Sequence, residues 1–296
     1  MTLEQLRIFV AVAERLHFTQ AAQALGLTQS AVSAAIAALE GRYGVDLFHR
    51  IGRHVELSAA GTVFLTEARE VLAAAGQAET AFDELAGLRR GRLAVMGSQT
   101  IATYWLPPRL LAFHRAHPGI TLDLTIGNTA QVAEAVASGE KELGFVEGLV
   151  DNTALEVAAV DDDRLALVVG QQHAWAADRA LDRDDFLRLP WVLRESGSGT
   201  RAATEALLAT RQLTLADVTV CLELPSNESV RSAIEAGAGA TVLSLLVAAT
   251  GLRAGVLKAA ACALPTRRFW RLRHRERRLS GAARAFVASL GQQPAA

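Results

Sequence analysis

The chain has 296 residues, of which 51% are hydrophobic and 21% charged, and its formal net charge at pH 7 is −1. This length is about twice the usual single-domain prior of roughly 150 residues, so two or three domains are expected. The apolar content excludes wholesale disorder, and the near-zero net charge does not by itself indicate a nucleic-acid partner. The two cysteines, Cys221 and Cys262, exclude a disulfide framework and fit a reducing compartment.

The N-terminal segment is not predicted to be a secretory signal, because it carries Glu4 and lacks an uninterrupted apolar run. The longest uncharged stretch, 236–252, has 17 residues and includes three glycines. It is short for a membrane span and is interpreted as a buried strand followed by a helix. We therefore expect a cytoplasmic protein without membrane contacts.

Residues 1–58 hold three short helical patterns separated by turns. Apolar residues at helical spacing predict an amphipathic helix over 3–15. Thr19 is predicted to cap a second helix over 20–25, and Thr28 to cap a third over 29–42. The short turn between the second and third helices has the spacing of a helix-turn-helix.

Two further elements follow these helices. Short strands over 47–50 and 54–57 flank a Gly-Arg pair, which predicts a wing. Residues 59–88 contain no proline and carry a heptad-like apolar pattern, so a long helix is predicted there. Pairing of this helix with a second copy of the chain is the preferred interpretation, and packing onto its own C-terminal domain is the alternative.

The third helix has the side-chain pattern of a DNA recognition helix. Gln29, Ser30 and Ser33 fall on its outward side, and Gln29 is the best candidate for base reading because an amide can pair bidentately with adenine. Arg50 and Arg53 are candidates for phosphate contacts. The candidate DNA-binding residues are Thr19, Thr28, Gln29, Ser30, Ser33, Arg50 and Arg53.

Residues 1–58 carry almost no net charge, so strong binding to DNA would require their basic side chains to cluster on one surface. Residues 1–58 contain five arginines and five acidic residues, so the segment is formally neutral apart from three histidines. The basic residues do cluster around the wing, and pairing of two chains would double the phosphate contacts. A small helical module that binds protein is the alternative interpretation.

After residue 91, strand and helix patterns alternate, which predicts parallel sheets in two small α/β lobes. Strands are predicted over 92–97, 121–126, 143–147, 165–169, 191–194, 218–224 and 240–244. Helices are predicted over 105–117, 131–138, 201–210 and 228–236.

Many spaced positions resemble the LysR-type transcriptional regulators. The resemblance rests on Leu6-Arg7-x-Phe9, Phe18-Thr19-x-Ala21-Ala22, Thr28-Gln29-Ser30-Ala31-Val32-Ser33 and Leu57-Ser58-x-Ala60-Gly61. It implies a winged helix-turn-helix, a dimerising linker helix and a two-lobed effector-binding domain of the periplasmic-binding-protein type. It also implies an assembly built as a dimer of dimers.

The sequence departs from the family pattern within the third helix. Ser30 stands where the family often has proline, and Ala34 and Ala35 stand where many members carry arginine and a polar residue. More of the base reading is therefore expected from Gln29, Ser30 and Ser33.

The resemblance suggests a division of the chain into three parts. Residues 1–58 would form the DNA-binding domain, 59–88 the linker and 91–296 the effector-binding domain. Within the last part, lobe I would comprise 91–160 and 265–296, and lobe II would comprise 161–264.

Small polar residues follow four predicted strands of the α/β part, where ligands of open sheets bind. Converging helix N-termini at these places favour a small carboxylate or oxyanion. The candidate effector-binding residues, several of them matched by the family, are Ser98, Gln99, Thr100, Thr129, Glu147, Ser198, Gly199, Thr200 and Asn227. Each Ser, Thr or Asn has ordinary helix capping as its alternative. Glu147 could pair with Arg201 or Arg194, or bind a donor on the ligand.

The arginine-rich run 267–278 has two interpretations, a strand with one solvated face and a DNA contact, of which the strand is preferred. A last helix is predicted near 281–290.

An enzyme is disfavoured, because no metal-ligand spacing, nucleophile elbow or phosphate loop occurs. No catalytic residue, metal or cofactor is predicted. A solute-binding receptor is the other rival, and it would require export. The predicted function is ligand-responsive transcription regulation, with promoter DNA, a small effector and a second copy of the chain as partners.

Overall fold

The computed structural model describes residues 1–51, 54–85, 91–173 and 181–291. The chain divides into two compact units. The first comprises Met1–Leu85 with Ser138–Glu140, and the second comprises Ala86–Ala137 with Lys141–Ala296.

The first unit is a helical domain with a two-stranded wing. In chain order it contains α1 (Leu3–Arg15), α2 (Phe18–Leu25), α3 (Gln29–Tyr43), β1 (Phe48–Ile51), β2 (His54–Leu57) and α4 (Ala59–Leu85). The chain direction changes by 108° between α2 and α3. Gly26 ends α2 in the left-handed conformation with φ of 67°, which glycine adopts without steric cost. This arrangement is a helix-turn-helix.

The start of α2 differs from the prediction. The helix begins at Phe18, and the His17 side chain is its N-cap, with Nδ1 accepting a hydrogen bond from the Gln20 N–H at 3.4 Å. The prediction that Thr19 caps this helix is wrong, because a histidine ring nitrogen fills that role two positions earlier. Thr19 lies in the first turn of α2 and is exposed.

The first unit has an apolar core to which all its helices contribute. The predicted inward face of α3 is confirmed, since Val32, Ile36 and Leu39 are at most 2% exposed. The Phe9 ring lies 5.5 Å from that of Phe48 and 4.7 Å from that of Phe64, so α1 joins the wing and α4 in one cluster. Such aromatic pairs add to the apolar burial that holds a small domain together.

The beginning of α4 is fixed by Ser58 and Gly61. The Ser58 hydroxyl accepts a hydrogen bond from the Gly61 N–H at 2.8 Å and donates one to the Asp46 carbonyl at 2.6 Å. A Cβ atom on Gly61 would lie 2.1 Å from the Leu47 carbonyl oxygen. The helix therefore packs against the chain that enters the wing, at a position that admits no side chain. The last predicted linker residues, 86–88, lie outside the described residues.

The second unit contains two five-stranded sheets with helices on both faces. Its elements begin with β3 (Gly91–Ser98), a short π-helix (Ile101–Trp105), α5 (Leu106–Ala116), β4 (Ile120–Gly127), α6 (Thr129–Ala137), β5 (Leu143–Val146), β6 (Leu155–Asp163) and β7 (Leu165–Gly170). They continue with α7 (Arg183–Arg188), β8 (Trp191–Arg194), α8 (Gly199–Ala209), β9 (Val220–Leu224), α9 (Asn227–Glu235), β10 (Ala240–Ser244), α10 (Leu245–Arg253), β11 (Leu257–Ala259), β12 (Arg267–His274) and α11 (Gly281–Leu290).

Each sheet forms one lobe. The first lobe has the strand order β4-β3-β5-β12-β6, and the second lobe has the order β11-β7-β10-β8-β9. Both sheets are mixed rather than parallel as predicted. β12 runs antiparallel to β5 and β6, and β7 runs antiparallel to β10 and β11. The reason is that the chain crosses to the second lobe directly after β6 and returns in β12, which inserts between β5 and β6.

The arginine-rich strand β12 is covered on both faces, so the prediction of one solvated face is wrong. Phe269 and Leu272 are 1% and 0% exposed and belong to core clusters on opposite sides of the sheet. The arginines of β12 pair with acidic residues of the neighbouring strand β6. Arg267 pairs with Asp163, Arg268 with Asp162, and both Arg271 and Arg273 with Glu156.

No single helix in the described ranges combines the length and the apolar character needed to cross a membrane. Within the part of the chain that the structure describes, one pair of helices, α2 with α3, passes this test by combined length and composition, and the two are bent by 108°. Both cysteines are free thiols.

We expect Gly61→Ala to destabilise the first unit, because the new methyl group would collide with the Leu47 carbonyl oxygen. Overpacking of this kind costs about 3 kcal/mol when backbone must move. Chemical denaturation followed by circular dichroism measures the loss. Gly76→Ala is the matched control in the same helix, since a Cβ atom there meets nothing within 4 Å. It should stabilise by about 0.5–1 kcal/mol, and equal effects of the two substitutions would contradict the packing argument.

Candidate nucleic-acid interface and ligand cleft

The first turn of α3 exposes a small group of polar side chains. Thr28 is the N-cap, and its hydroxyl accepts a hydrogen bond from the Ala31 N–H at 3.2 Å. Gln29 and Ser30 are exposed and Ser33 is half-buried. The Gln29 amide nitrogen donates a hydrogen bond to the Ser33 hydroxyl at 2.9 Å. One turn of helix thus holds the Gln29 amide in a defined orientation.

The remaining predicted DNA-binding residues lie around this turn. The hydroxyls of Thr28 and Ser30 are hydrogen-bonded at 3.1 Å. Arg50 belongs to β1, and its side chain lies outside what the structure describes, as does the whole of Arg53. Arg42 and His49 are exposed, so the described part of the chain retains basic groups near the wing.

In the second unit, strand ends and helix starts converge where the two lobes meet. The first lobe contributes Ser98 and Thr100 after β3, Glu147 after β5, and Thr129 at the start of α6. The second lobe contributes Ser198, Gly199 and Thr200 at the start of α8, and Asn227 at the start of α9. Ser98, Thr100, Thr129, Glu147, Ser198, Thr200 and Asn227 are all less than 9% exposed. These predicted residues therefore form one buried polar cluster.

Arg194, at the end of β8, is the centre of this cluster and is 2% exposed. Its Nη1 donates hydrogen bonds to Gln99 Oε1 at 2.9 Å and to Asn227 Oδ1 at 2.6 Å. Its other nitrogens bond both oxygens of Glu195 at 2.7 and 2.8 Å. Arg194 thus joins Gln99 of the first lobe to Asn227 of the second, a role that the sequence did not predict.

A directed series of hydrogen bonds leads from Arg194 to Glu147. Arg194 donates to the Asn227 amide oxygen, and the Asn227 amide nitrogen donates to the Thr100 hydroxyl at 3.0 Å. Thr100 is in turn hydrogen-bonded to the Glu147 carboxyl, to which the Ser98 hydroxyl also donates. Because Thr100 accepts a hydrogen bond from Asn227, its own O–H is left to donate to Glu147, and the series ends on an acceptor.

Glu147 pairs with neither of the two arginines considered from sequence. Arg194 is bound to Glu195, and Arg201 pairs with Glu205 at 3.0 Å and with Glu223 at 2.5 Å. Burial raises the pKa of Glu147 above its ordinary value. Arg267 and the hydrogen bond with Thr100 oppose this shift, and the charge of Asp163 adds to it.

The second lobe closes tightly over Glu147. A Cβ atom on Gly199 would lie 2.8 Å from the Glu147 Cγ and 2.9 Å from the Gly148 nitrogen. The Ala130 N–H donates to the Gly197 carbonyl at 3.3 Å across the same junction. The hydroxyls of Thr129 and Thr200 are buried and have no hydrogen-bond partner among the described residues. The cluster therefore offers unused donors where the lobes meet.

A cavity of about 490 Å³ adjoins this cluster. Its walls come from α6, the chain following β5, α8 and the chain leading into β12, and Thr129, Glu147, Gly199 and Arg267 lie in its lining. Its volume is typical of a small-molecule site. No group of three or more His, Cys, Asp or Glu side chains in the described ranges could hold a metal ion.

Comparison with known proteins agrees with both parts of this geometry. Residues 3–62 match the model for "Bacterial regulatory helix-turn-helix protein, lysR family", and residues 86–295 match that for "LysR substrate binding domain". A helix-turn-helix joined to a two-lobed ligand-binding domain defines a ligand-responsive transcriptional regulator.

The chain belongs to the LysR family of transcriptional regulators. It is 33% identical over 289 residues to the HTH-type transcriptional regulator YeiE of Escherichia coli K12, which covers 97% of this chain and 96% of that protein. Members of this family are transcriptional regulators, which confirms the prediction that the chain is not an enzyme.

Two solved structures share the fold. Full-length CbnR complexed with its target DNA has a TM-score of 0.69 and 23% identity, and covers 99% of both chains. The regulatory domain of CcmR from Synechocystis PCC6803, in complex with 2-PG, has a TM-score of 0.62 and 27% identity. That match covers 68% of this chain and 96% of the other.

We expect Arg194→Met to destabilise the second unit by about 1.5–3 kcal/mol, because buried acceptors on Gln99 and Asn227 lose a charged donor. Urea denaturation monitored by tryptophan fluorescence measures the change. Arg188→Met is the matched control: Arg188 has an 82% exposed side chain and a 4.0 Å ion pair, so its effect should stay within about 0.5 kcal/mol. If Arg194→Met is equally mild, the bridging role is wrong.

Proposed function

We propose that the chain binds promoter DNA through α3, beginning at Gln29, and that Gln29 reads a base edge in the major groove. The observation that carries this proposal is the exposed Gln29 amide, oriented by its hydrogen bond to Ser33. That bond uses one of the two amide hydrogens and leaves the other, together with the amide oxygen, for a bidentate contact with adenine. Thr19, Thr28, Ser30 and the arginines of the wing, Arg50 and Arg53, complete the proposed interface.

We further propose that the chain acts as a homo-oligomer, as a dimer or as a dimer of dimers, through α4. Val63 and Val71 on this helix are 67% and 42% exposed, although the helix packs through Ala68 against the core of the first unit. A second copy would cover the exposed valines. It would also double the phosphate contacts of a DNA-binding domain whose own charge is close to neutral.

For the second unit, we propose that a small anionic effector, a carboxylate or an oxyanion, binds where the lobes meet. The N-terminal ends of α6, α8 and α9 direct backbone N–H groups to this place. The buried hydroxyls of Thr129 and Thr200 supply donors that no described residue uses. The proposed contacts are Ser98, Gln99, Thr100, Thr129, Glu147, Ser198, Gly199, Thr200 and Asn227.

The proposed regulation couples the two sites. An effector that binds one arrangement of the lobes better than another shifts the population of that arrangement, and DNA binding by the oligomer responds. The proposal divides the chain into a DNA-binding domain over 1–58, a linker over 59–88 and an effector domain over 91–296. It places the protein in the cytoplasm, where promoter DNA lies.

We expect Gln29→Ala to reduce discrimination between operator variants by about 1–3 kcal/mol, because one bidentate base contact is lost. Binding of the full chain to a promoter fragment and to its single-base variants, at several salt concentrations, measures this loss. Gln23→Ala removes an exposed amide from α2 and should leave the ranking of variants unchanged. An unchanged ranking for Gln29→Ala would remove Gln29 from base reading.

We expect Thr100→Val to weaken the response to small anions and to spare DNA binding in their absence, because one buried hydroxyl leaves the cleft while the side-chain shape is kept. Thermal shifts with sulfate, phosphate and acetate, alongside promoter binding, test this expectation. Thr250→Val, on the exposed face of α10, is the control. Anion-induced shifts of equal size in the Thr100 variant and the unaltered protein would defeat the assignment.

A further inference from the structure

The carboxyl group of Glu147 occupies the place that the proposed effector anion would take in the first lobe. It receives the Ser98 hydroxyl and is hydrogen-bonded to Thr100, and both residues belong to the proposed effector site. It is also the end point of the donor series that begins at Arg194. Donors arranged in this way bind an anion, and in this structure the anion is the carboxylate of Glu147.

The charges around Glu147 do not balance it. Arg267 of β12 is the cation whose charge acts on Glu147, but its guanidinium is bound to Asp163 of β6 and donates to the Gly199 carbonyl at 3.2 Å. Asp163 is itself 1% exposed at its side chain and accepts a hydrogen bond from Ser244 at 2.6 Å. The three groups therefore carry one net negative charge when Glu147 is ionised.

The other charged side chains near the cleft are already paired. Arg194 of β8 is bound to Glu195, and Arg201 of α8 is bound to Glu205 and Glu223. An effector anion placed on the Ser98 and Thr100 hydroxyls would meet the negative charge of Glu147, and the arginines named here, within the described ranges, are already paired. Like charges in a buried site favour the state in which one of them is protonated.

We propose that Glu147 holds the place of the effector's anionic group in the ligand-free protein, and that the anion binds together with one proton, which Glu147 takes up from solvent. This inference rests on the proposed anionic effector and specifies how the same site admits it. The protonated carboxyl no longer repels the anion, and its O–H becomes a hydrogen-bond donor. The adjoining cavity, whose lining includes Glu147, gives the displaced side chain room.

The direction of the pKa shift agrees with this role. Because burial raises the pKa of Glu147 in the folded protein, ionised Glu147 opposes folding. Stability is therefore highest below the unfolded-state pKa and declines as pH rises through the folded-state pKa. A group with a raised pKa takes up a proton at a smaller cost than an ordinary carboxylate, so a modest binding free energy can drive the step.

The test is titration calorimetry of the full chain with sulfate, whose charge is fixed across the range, at pH 6, 7 and 8. Repeating each titration in two buffers of different ionisation enthalpy counts the protons taken up. Where Glu147 is ionised, the unaltered protein should bind sulfate about tenfold more weakly for each pH unit, with one proton taken up per anion. Glu147→Gln should bind without proton uptake and lose that pH dependence. Glu134→Gln, an exposed position on α6, should behave as the unaltered protein does.

Each outcome bears on the proposal in a defined way. Sulfate binding by the unaltered protein without proton uptake, or with a slope that Glu147→Gln retains, overturns the inference and leaves the anion site standing. Absence of sulfate binding from every form at every pH overturns the anion site and the inference together. Thermal melting from pH 5 to 8 supplies a readout without ligand: Glu147→Gln should flatten a decline seen in the unaltered protein and in Glu134→Gln, and identical profiles contradict the role of Glu147.

Discussion

The hydrogen-bond series from Arg194 through Asn227 and Thr100 to Glu147 is the interaction on which the ligand-binding unit depends. It begins in the second lobe, crosses to the first and ends on a buried carboxyl. Buried polar groups stabilise a fold only when each has a partner, because an unpaired one loses its hydration without compensation. The lobes can therefore adopt this arrangement because each completes the other's hydrogen bonding. A ligand that replaced one member of this series would change the hydrogen bonds that join the two lobes.

The first unit is a small domain whose apolar core holds α3 so that a few polar side chains are exposed. Phe9 packs between Phe48 and Phe64 in its core, and α3 joins the same core through Val32, Ile36 and Leu39. With α3 held by its buried face, the first turn is free to expose Gln29 and Ser30. The nearly balanced charge of this segment means that affinity for DNA must come from the placement of its cations and from oligomerisation.

Much of the fold could be predicted from local pattern. The helix over 3–15, the strands over 191–194 and 240–244, and the last helix over 281–290 have the predicted bounds, because each is delimited by periodicity and by turn or capping residues. The mixed sheets could not be predicted. β12 lies between β5 and β6, which are separated from it by more than a hundred residues, and the charge pairing of its arginines with β6 exists only once the strands are adjacent. The alternation of side chains predicted that β12 is a strand. It did not predict whether the second face of that strand contacts solvent or α6.

The sequence by itself determined the class of protein and the identity of most cleft residues, because helix caps, glycines and strand ends are local and recur at fixed spacings. It also determined the outward face of α3, since apolar residues at helical spacing define the opposite face. Only the tertiary structure decided the partners. In the folded chain Arg194 binds Glu195, Gln99 and Asn227, and Arg267 binds Asp163. Glu147 receives the Ser98 hydroxyl, and Arg267, which acts on its charge, is shared with Asp163. Charge pairing between distant segments depends on distances of a few ångströms, and those distances arise only when both lobes have folded.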